Sequence, residues 1–372
     1  MQEVSGSIPL CSTKARRRPD FPMRTLTLDS LDRLATLDAD TVIDVRAPAE
    51  FAEDHLPGAV NLPVLSDAER ARVGTIYKQV SPFDARKLGG ALVATNTAAH
   101  LQGPLAGKDG GWQPLVYCWR GGQRSGAFAT ILDQVGWRVT LLRGGYRSYR
   151  RLVTGMLYDV ALPHRFRVID GGTGTAKTAL LAHLRAIGEQ VLDLEGLAAH
   201  RGSIFGATGT AQPAQKLFES RIAAALVAQD PRRTTWVEAE SSKVGERLVP
   251  PALWSAMQAA PRVEIAAPVA ARAAYLTTAY ADLVADPARL RDQIDRLRPY
   301  HAGDRVAGWQ ALARAGDWRA LAAGLIESHY DPRYAKSAAR ADAATRRIAL
   351  PDLSEDTLRA TAEALAAQVS PG

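Results

Sequence analysis

Short apolar, β-branched runs alternate with amphipathic stretches through most of the chain. Thr41-Val42-Ile43-Asp44-Val45 reads as a buried strand, and Pro114-Leu115-Val116-Tyr117 as a second. Arg138-Val139-Thr140-Leu141-Leu142 is a third, stopped by Gly144-Gly145. Between the second and third runs lies a helical pattern from Ser125 to Val135. Parallel strands need a crossover, usually a helix, so strand, loop, helix, strand predicts a parallel sheet. A second system opens at Phe166-Arg167-Val168-Ile169-Asp170. It passes through a Gly-rich loop into a helix from Ala179 to Ile187. Further strands are expected at Gln190-Val191-Leu192-Asp193-Leu194, Thr234-Thr235-Trp236-Val237-Glu238-Ala239 and Val263-Glu264-Ile265-Ala266. The stretch from Arg147 to Leu162 joins the two systems, with Pro163-His164 at the boundary. Beyond Ala270 the sequence turns Ala-, Leu- and Arg-rich with helical periodicity, predicting helix to about Gln368. The expected layout is a disordered arm at 1–24, an α/β parallel-sheet domain at 25–150, and a second α/β domain at 163–372 with a helical C-terminal region. No fixed-period repeat is visible.

Composition narrows the function classes. Apolar residues make up 47% and charged residues 23% of 372, the mix of a globular protein. The net charge is +7, which suggests a polyanionic partner, nucleic acid being the commonest; the alternative is a generally basic, Arg-rich proteome. The two cysteines, Cys11 and Cys118, lie far apart and make no disulfide framework, so a reducing compartment, the cytoplasm, is expected. The longest stretch without Asp, Glu, Lys or Arg, from Leu88 to Gly107, carries Asn96, His100, Gln102 and Pro104, which argues against a membrane span. The N-terminus lacks the apolar core of a signal peptide and instead has a basic arm, Ser12-Thr13-Lys14-Ala15-Arg16-Arg17-Arg18-Pro19; Met23 is an alternative start to Met1.

Two constellations carry chemistry. In Cys118-Trp119-Arg120-Gly121-Gly122-Gln123-Arg124-Ser125, a cysteine sits between a strand end and a helix start. Arg120, Arg124 and the helix N-terminus each favour thiolate, the nucleophilic form. Gly121 and Gly122 let the backbone curl round an anion. The bland alternative is an inert buried thiol, but two arginines on a Gly-Gly loop argue against it. The Cys-x5-Arg-Ser spacing is also that of phosphate-cleaving cysteine enzymes. Those usually have His where this chain has Tyr117, and they need a general acid that is not evident here.

The second constellation is Gly171-Gly172-Thr173-Gly174-Thr175-Ala176-Lys177-Thr178, which follows a strand and opens a helix. Backbone N–H groups in such a loop cradle phosphates, the Lys adds a point charge, and the hydroxyl of Thr178 suits Mg²⁺. Ala176 stands where the usual pattern has Gly, and the loop survives there if φ stays negative. Glu238 and Glu240, in Trp236-Val237-Glu238-Ala239-Glu240-Ser241, are candidates to face this loop; the alternative is ordinary surface charge. No tightly bound cofactor and no dedicated metal site is expected.

The cysteine loop resembles the active-site loop of rhodanese-type sulfurtransferases. Ile43-Asp44-Val45-Arg46-Ala47-Pro48-Ala49-Glu50-Phe51 and His55-Leu56-Pro57-Gly58-Ala59-Val60-Asn61-Leu62-Pro63 are similar to the signature that precedes that loop. The resemblance implies that Cys118 carries sulfur or selenium as a persulfide or perselenide. The loop is one residue longer than the commoner form, giving a wider cradle. A rhodanese-like domain followed by a P-loop domain resembles the bacterial tRNA 2-selenouridine synthases over nearly the whole chain. So do His200-Arg201-Gly202-Ser203-Ile204-Phe205-Gly206, Gln212-Pro213-Ala214-Gln215-Lys216-Leu217-Phe218-Glu219, Glu240-Ser241-Ser242-Lys243-Val244-Gly245 and His329-Tyr330-Asp331-Pro332.

That resemblance implies a transferase acting on the wobble 2-thiouridine of tRNAs for Lys, Glu and Gln. It implies S-geranylation from geranyl diphosphate, then selenium insertion from selenophosphate supplied by a partner enzyme. The P-loop would hold the diphosphate, Cys118 would take the selenium, and Arg201, Lys216 and Lys243 would be further anion contacts. The Arg-rich tail is the expected grip on tRNA, although such a face is commonly solvated surface. Two alternatives stay open: a Cys-dependent phosphatase or sulfurtransferase coupled to a nucleotide-binding module, and a non-catalytic binding module. The sequence shows no apolar pocket for a geranyl chain.

Overall fold

The computed structural model describes residues 23–34, 36–207, 209–338 and 345–368. The basic arm and Cys11 lie outside the described residues. The chain builds two five-stranded parallel sheets, as the alternation of strand and helix patterns predicts. The first unit contains β1 (Arg24–Thr27), β2 (Thr41–Asp44), α1 (Pro48–Glu53), β3 (Val60–Asn61), α2 (Asp67–Gln79), α3 (Pro82–Gln102), β4 (Pro114–Tyr117), α4 (Gln123–Val135), β5 (Thr140–Arg143) and α5 (Gly145–Thr154). Its strand order is β1-β5-β4-β2-β3. Edge strand β3 escapes sequence reading because two residues show no period, and β1 because Arg24-Thr25-Leu26-Thr27 is mostly exposed with a single large apolar side chain.

The second unit runs through β6 (Arg165–Asp170), α6 (Lys177–Ala186), β7 (Gln190–Leu192), α7 (Leu194–Ala198), α8 (Gln215–Val227) and β8 (Thr234–Glu238). A hairpin of β9 (Lys243–Val244) and β10 (Arg247–Leu248) follows, then α9 (Pro251–Ala259) and β11 (Arg262–Ala266). The C-terminal region holds α10 (Val269–Ala279), α11 (Ala281–Val284), α12 (Pro287–Asp295), α13 (Gly303–Ala315), α14 (Trp318–Leu325), α15 (Asp331–Ala338), β12 (Thr345–Ala349) and α16 (Glu355–Ala367). The sheet order is β12-β11-β6-β8-β7. The tail is therefore not helical throughout: β12 returns to pair in parallel with β11, Ile348 against Ile265. Thr345-Arg346-Arg347-Ile348-Ala349 offers a single large apolar side chain, so an edge strand there has little signature. The expected strand at 190–194 stops at Leu192, because Asp193 turns to cap α7, its carboxylate accepting from the Gly196 N–H.

The join between the units is folded structure. Helix α5 and the π turn after it (Gly155–Asp159) carry Tyr146, Tyr149, Val153 and Leu157 into one core. That core also holds Leu56 and Leu115 of the first unit and Phe166, Phe218 and Leu226 of the second. Polar contacts cross the same seam. Asp54 accepts a hydrogen bond from the Tyr146 hydroxyl at 2.8 Å, and Arg150 pairs with Glu219, which also accepts from Tyr158 at 2.7 Å. Among the described residues, no helix is long and apolar enough to cross a membrane.

Candidate active sites: a thiolate cradle and a phosphate loop

Cys118 leaves the C-terminal end of β4, the central strand of its sheet, and is only 4% exposed. The turn after it is clamped to the start of α5: Tyr146 N–H donates to the Cys118 carbonyl at 2.8 Å and Arg147 N–H to the Trp119 carbonyl at 3.1 Å. Glycine at 145 makes this approach possible. A Cβ there would stand 2.2 Å from the Cys118 oxygen, and φ is +58°. Ser125, fully buried, donates its hydroxyl to Sγ at 3.2 Å, and Gly122 N–H donates at 3.4 Å. Burial alone would raise the thiol pKa. The Ser125 hydroxyl and the N–H groups of Ser125, Gly122 and Arg120 outweigh it and hold the pKa below the ordinary value.

The source of this stabilisation differs from the sequence expectation. Arg124 points to Glu50, its Nη1 at 2.7 Å from the carboxylate, so its charge is already matched. Arg120 is exposed. Backbone and hydroxyl donors do what the sequence reading assigned to two guanidinium charges. Tyr117, at the position where phosphatases carry His, is fully buried, and its oxygen accepts from Leu56 N–H at 3.1 Å. Beneath the cradle, Arg46 forks onto Asp44 with both groups buried, and its guanidinium lies 4.1 Å from the Tyr146 ring centroid.

A Ser125→Ala variant should keep the fold and lose one donor to Sγ. A hydrogen bond to a charged group is worth about 1.5 kcal/mol, so iodoacetamide alkylation of Cys118 at neutral pH should slow roughly tenfold. An unchanged pH–rate profile would remove Ser125 from the cradle.

The phosphate loop lies between β6 and α6. Gly171, Gly174 and Ala176 have positive φ, and Ala176 sits at +60°. The condition that φ stay negative at Ala176 is not met: the loop keeps its left-handed turn with an L-residue, at a local cost of about 1–2 kcal/mol. Arg272 steadies the loop from outside, donating to the Thr173 carbonyl from Nε at 2.9 Å and from Nη2 at 2.7 Å. It is held in turn by Asp331 at 2.6 Å. Lys177 turns its ammonium onto the Gly171 carbonyl at 2.8 Å. Thr175 is buried, its hydroxyl donating to the Gly172 carbonyl at 2.9 Å.

Three carboxyls crowd beside Lys177 and Thr178. Glu238 is buried, accepts from Glu195 N–H at 2.8 Å and has its other oxygen unpartnered among the described residues. Glu195 accepts from the Thr178 hydroxyl at 2.9 Å. Burial, and then the Glu195 charge, pushes Glu240 up to about 8, and Glu238 is raised well above the usual carboxylate range, again by burial first. All three are therefore held toward the neutral form, and Glu238, buried, and Glu240, half-buried on a cavity wall, are not ordinary surface charges. Gly202 covers the group at φ +67°; a Cβ there would lie 2.7 Å from Glu240 and 2.8 Å from Glu195.

A large cavity opens over the loop. Gly171 and residues 173–178 line it, together with Glu195, Arg201, Glu240 and Tyr334. Arg201 reaches it stacked on Tyr280 and paired with Asp282 at 3.0 Å. Two sequence candidates do not reach it. Lys243 is exposed on the hairpin, and Lys216 pairs with Glu53 of the first unit at 2.6 Å. Glu195 and the Arg272–Asp331 clamp were not legible. Glu195 lies one residue past the expected strand at 190–194, in a helix start that sequence reading did not expect, and the clamp joins positions 59 apart. An apolar pocket adjoins the cavity, lined by Phe205, Leu276, Leu283, Leu290, Leu321 and Leu325, among others. Thr173, Leu276, Tyr280 and Tyr330 border both spaces.

A parallel α/β sheet with a cysteine cradle, followed by one with a phosphate loop, defines a rhodanese-like domain joined to a P-loop-type domain. Residues 27–152 match the Rhodanese-like domain, and residues 164–300 match the tRNA 2-selenouridine synthase AAA domain. The chain is similar to the tRNA 2-selenouridine synthase of Cupriavidus pinatubonensis, with 34% identity over 80% of this chain and 89% of that one. It is 33% identical to the one of Pseudomonas fluorescens over 83% and 92%. It is 38% identical to the one of Verminephrobacter eiseniae over 79% and 88%. The chain belongs to the tRNA 2-selenouridine synthase family, a family of enzymes.

Proposed function

We propose that this protein converts 2-thiouridine at the wobble position of tRNAs for Lys, Glu and Gln to 2-selenouridine by two transfers. The observation that carries this reading is the junction of a phosphate cradle with an apolar pocket, the shape required by a diphosphate joined to a hydrocarbon chain. In the first transfer the uridine sulfur bonds to C1 of geranyl diphosphate as the C1–O bond breaks, and diphosphate leaves with the electron pair. The loop N–H groups and Lys177 hold that leaving group. Alkylation turns a thiocarbonyl, whose sulfur leaves poorly, into a thioether that leaves well. In the second transfer the Cys118 thiolate bonds to the phosphorus of selenophosphate as the P–Se bond breaks and selenide leaves; selenide adds to C2, the geranyl thiolate departs, and water releases phosphate from Cys118.

No group of three or more His, Cys, Asp or Glu side chains among the described residues is disposed to hold a metal ion alone. Mg²⁺ commonly binds through one or two carboxylates plus substrate phosphates. Thr178 and Glu195 are the groups that would hold it here, where it would offset the charge of the diphosphate.

Ala322 lines the apolar pocket and lies away from the phosphate loop in sequence. Ala322→Trp should fill the pocket and raise the KM for geranyl diphosphate at least tenfold, since each buried methylene contributes about 0.8 kcal/mol. Inhibition by inorganic pyrophosphate should not change, and the five-carbon dimethylallyl diphosphate should lose less than the ten-carbon substrate. Equal KM values for parent and variant would place the chain elsewhere.

A further inference from the structure

The RNA expected to reach Cys118 needs a surface, and the sequence pointed to the C-terminal tail for it. The structure directs attention to the mouth of the cysteine cradle. Residues 134–158 contain five arginines and no Asp or Glu. One of the five, Arg150, turns inward to Glu219 and Asp54. Arg143, Arg147 and Arg151 are exposed, as is Arg120 on the cysteine loop. No hydrogen bond or ion pair engages these four guanidinium groups among the described residues. In the tail, Arg272, Arg289, Arg298, Arg347 and Arg359 sit in ion pairs, while Arg296, Arg305, Arg314 and Arg319 are exposed; what sets the four at the cradle apart is their place beside Cys118.

The four are also gathered by the fold. Strands β4 and β5 are parallel neighbours, so Cys118 and Arg143 leave the same edge of the sheet. Helix α5 starts at that edge, with Arg147 N–H bonded to the Trp119 carbonyl. Arg151 follows four residues later on the same helix face. The result is an unneutralised cationic stripe that begins beside the nucleophile and runs along α5.

We propose that Arg120, Arg143, Arg147 and Arg151 form the track for RNA phosphates that delivers the target nucleotide to Cys118. The inference rests on the proposed tRNA substrate. Exposed arginines without carboxylate partners match a polyanion in charge, and the guanidinium fork matches phosphate oxygens in geometry. RNA bases are read where they are unstacked in single-stranded loops. The phosphates flanking such a base must therefore pass close to the cradle mouth.

The test is filter binding of the full-length protein to a labelled tRNA transcript with a wobble uridine, across a salt series. Arg147→Glu with Arg151→Glu should weaken binding at least tenfold. It should also lower the slope of log K against log salt by about 1.5, at roughly 0.7–0.9 for each lost phosphate contact. Arg147→Lys with Arg151→Lys keeps the charge and should stay close to the parent. The melting temperature of each variant reports folding. Affinity and slope within twofold of the parent for the folded Glu variant would overturn the track and leave the proposed reaction standing. A parent protein that binds the transcript no better than heparin of matched charge would overturn both.

Discussion

A Cys118→Ala protein is expected to form no 2-selenouridine and to accumulate S-geranylated tRNA instead. Sγ is the atom on which the cradle converges: Ser125 and Gly122 donate to it, and with Arg120 they hold the thiol pKa down. Alanine removes the nucleophile and leaves the donors without an acceptor, so loss of the selenium step should be complete within detection, a factor above about 10³. The phosphate loop lies in the other sheet and has no contact with Sγ, so alkylation should proceed at the parental rate. Nucleoside mass spectrometry of tRNA incubated with protein, geranyl diphosphate and selenophosphate reads both products at once. Parental levels of 2-selenouridine would remove Cys118 from the chemistry. Loss of both products with a lowered melting temperature would point to structural damage, and Cys118→Ser then serves as the conservative check.

Much of the fold was legible because central parallel strands are buried on both faces. β4 was readable to the residue, and β2, β6, β8 and β11 to within one, since each carries a short buried apolar or β-branched core such as Val168-Ile169 or Trp236-Val237. The edge strands β1, β3 and β12 were not, being short, exposed or charged. The two loops were legible because glycine and lysine spacing is local. What surrounds them was not. Arg124 looked like a free charge until Glu50 appeared 74 residues upstream in its fork. Ala176 looked like a residue with negative φ, but the loop imposes its turn regardless of the side chain. The four short stretches resembling the synthases carried no assigned place in the sequence. Three of them meet at the phosphate cavity, through Arg201, Gly202 and Ser203, through Glu240 to Ser242, and through Tyr330. Gln212, from the fourth, holds the hairpin beside it, donating to the Val244 carbonyl at 3.0 Å. The apolar pocket has lining from α10 to α14 and could not be seen in any single stretch.

The complementary result is expected from Lys177→Ala. Its ammonium now rests on the Gly171 carbonyl at 2.8 Å, within the loop whose N–H groups would receive the diphosphate. Bound diphosphate carries far more charge than a carbonyl dipole, so Lys177 should turn to it and oppose the charge that builds as the C1–O bond breaks. Loss of one such stabilising group commonly costs a factor of 10²–10³ in rate. Geranylation of 2-thiouridine tRNA should fall by that amount, with the KM for geranyl diphosphate moving less than kcat. Removing this ammonium also takes away the positive charge that lowers Glu195 and Glu240, which should move both further toward the protonated form. The decisive arm uses tRNA that already carries the S-geranyl group. Given selenophosphate, Lys177→Ala should convert it at close to the parental rate, because that step belongs to the Cys118 cradle. If the variant fails on both substrates while remaining folded, the two transfers share Lys177, and the division of labour between the sheets is wrong.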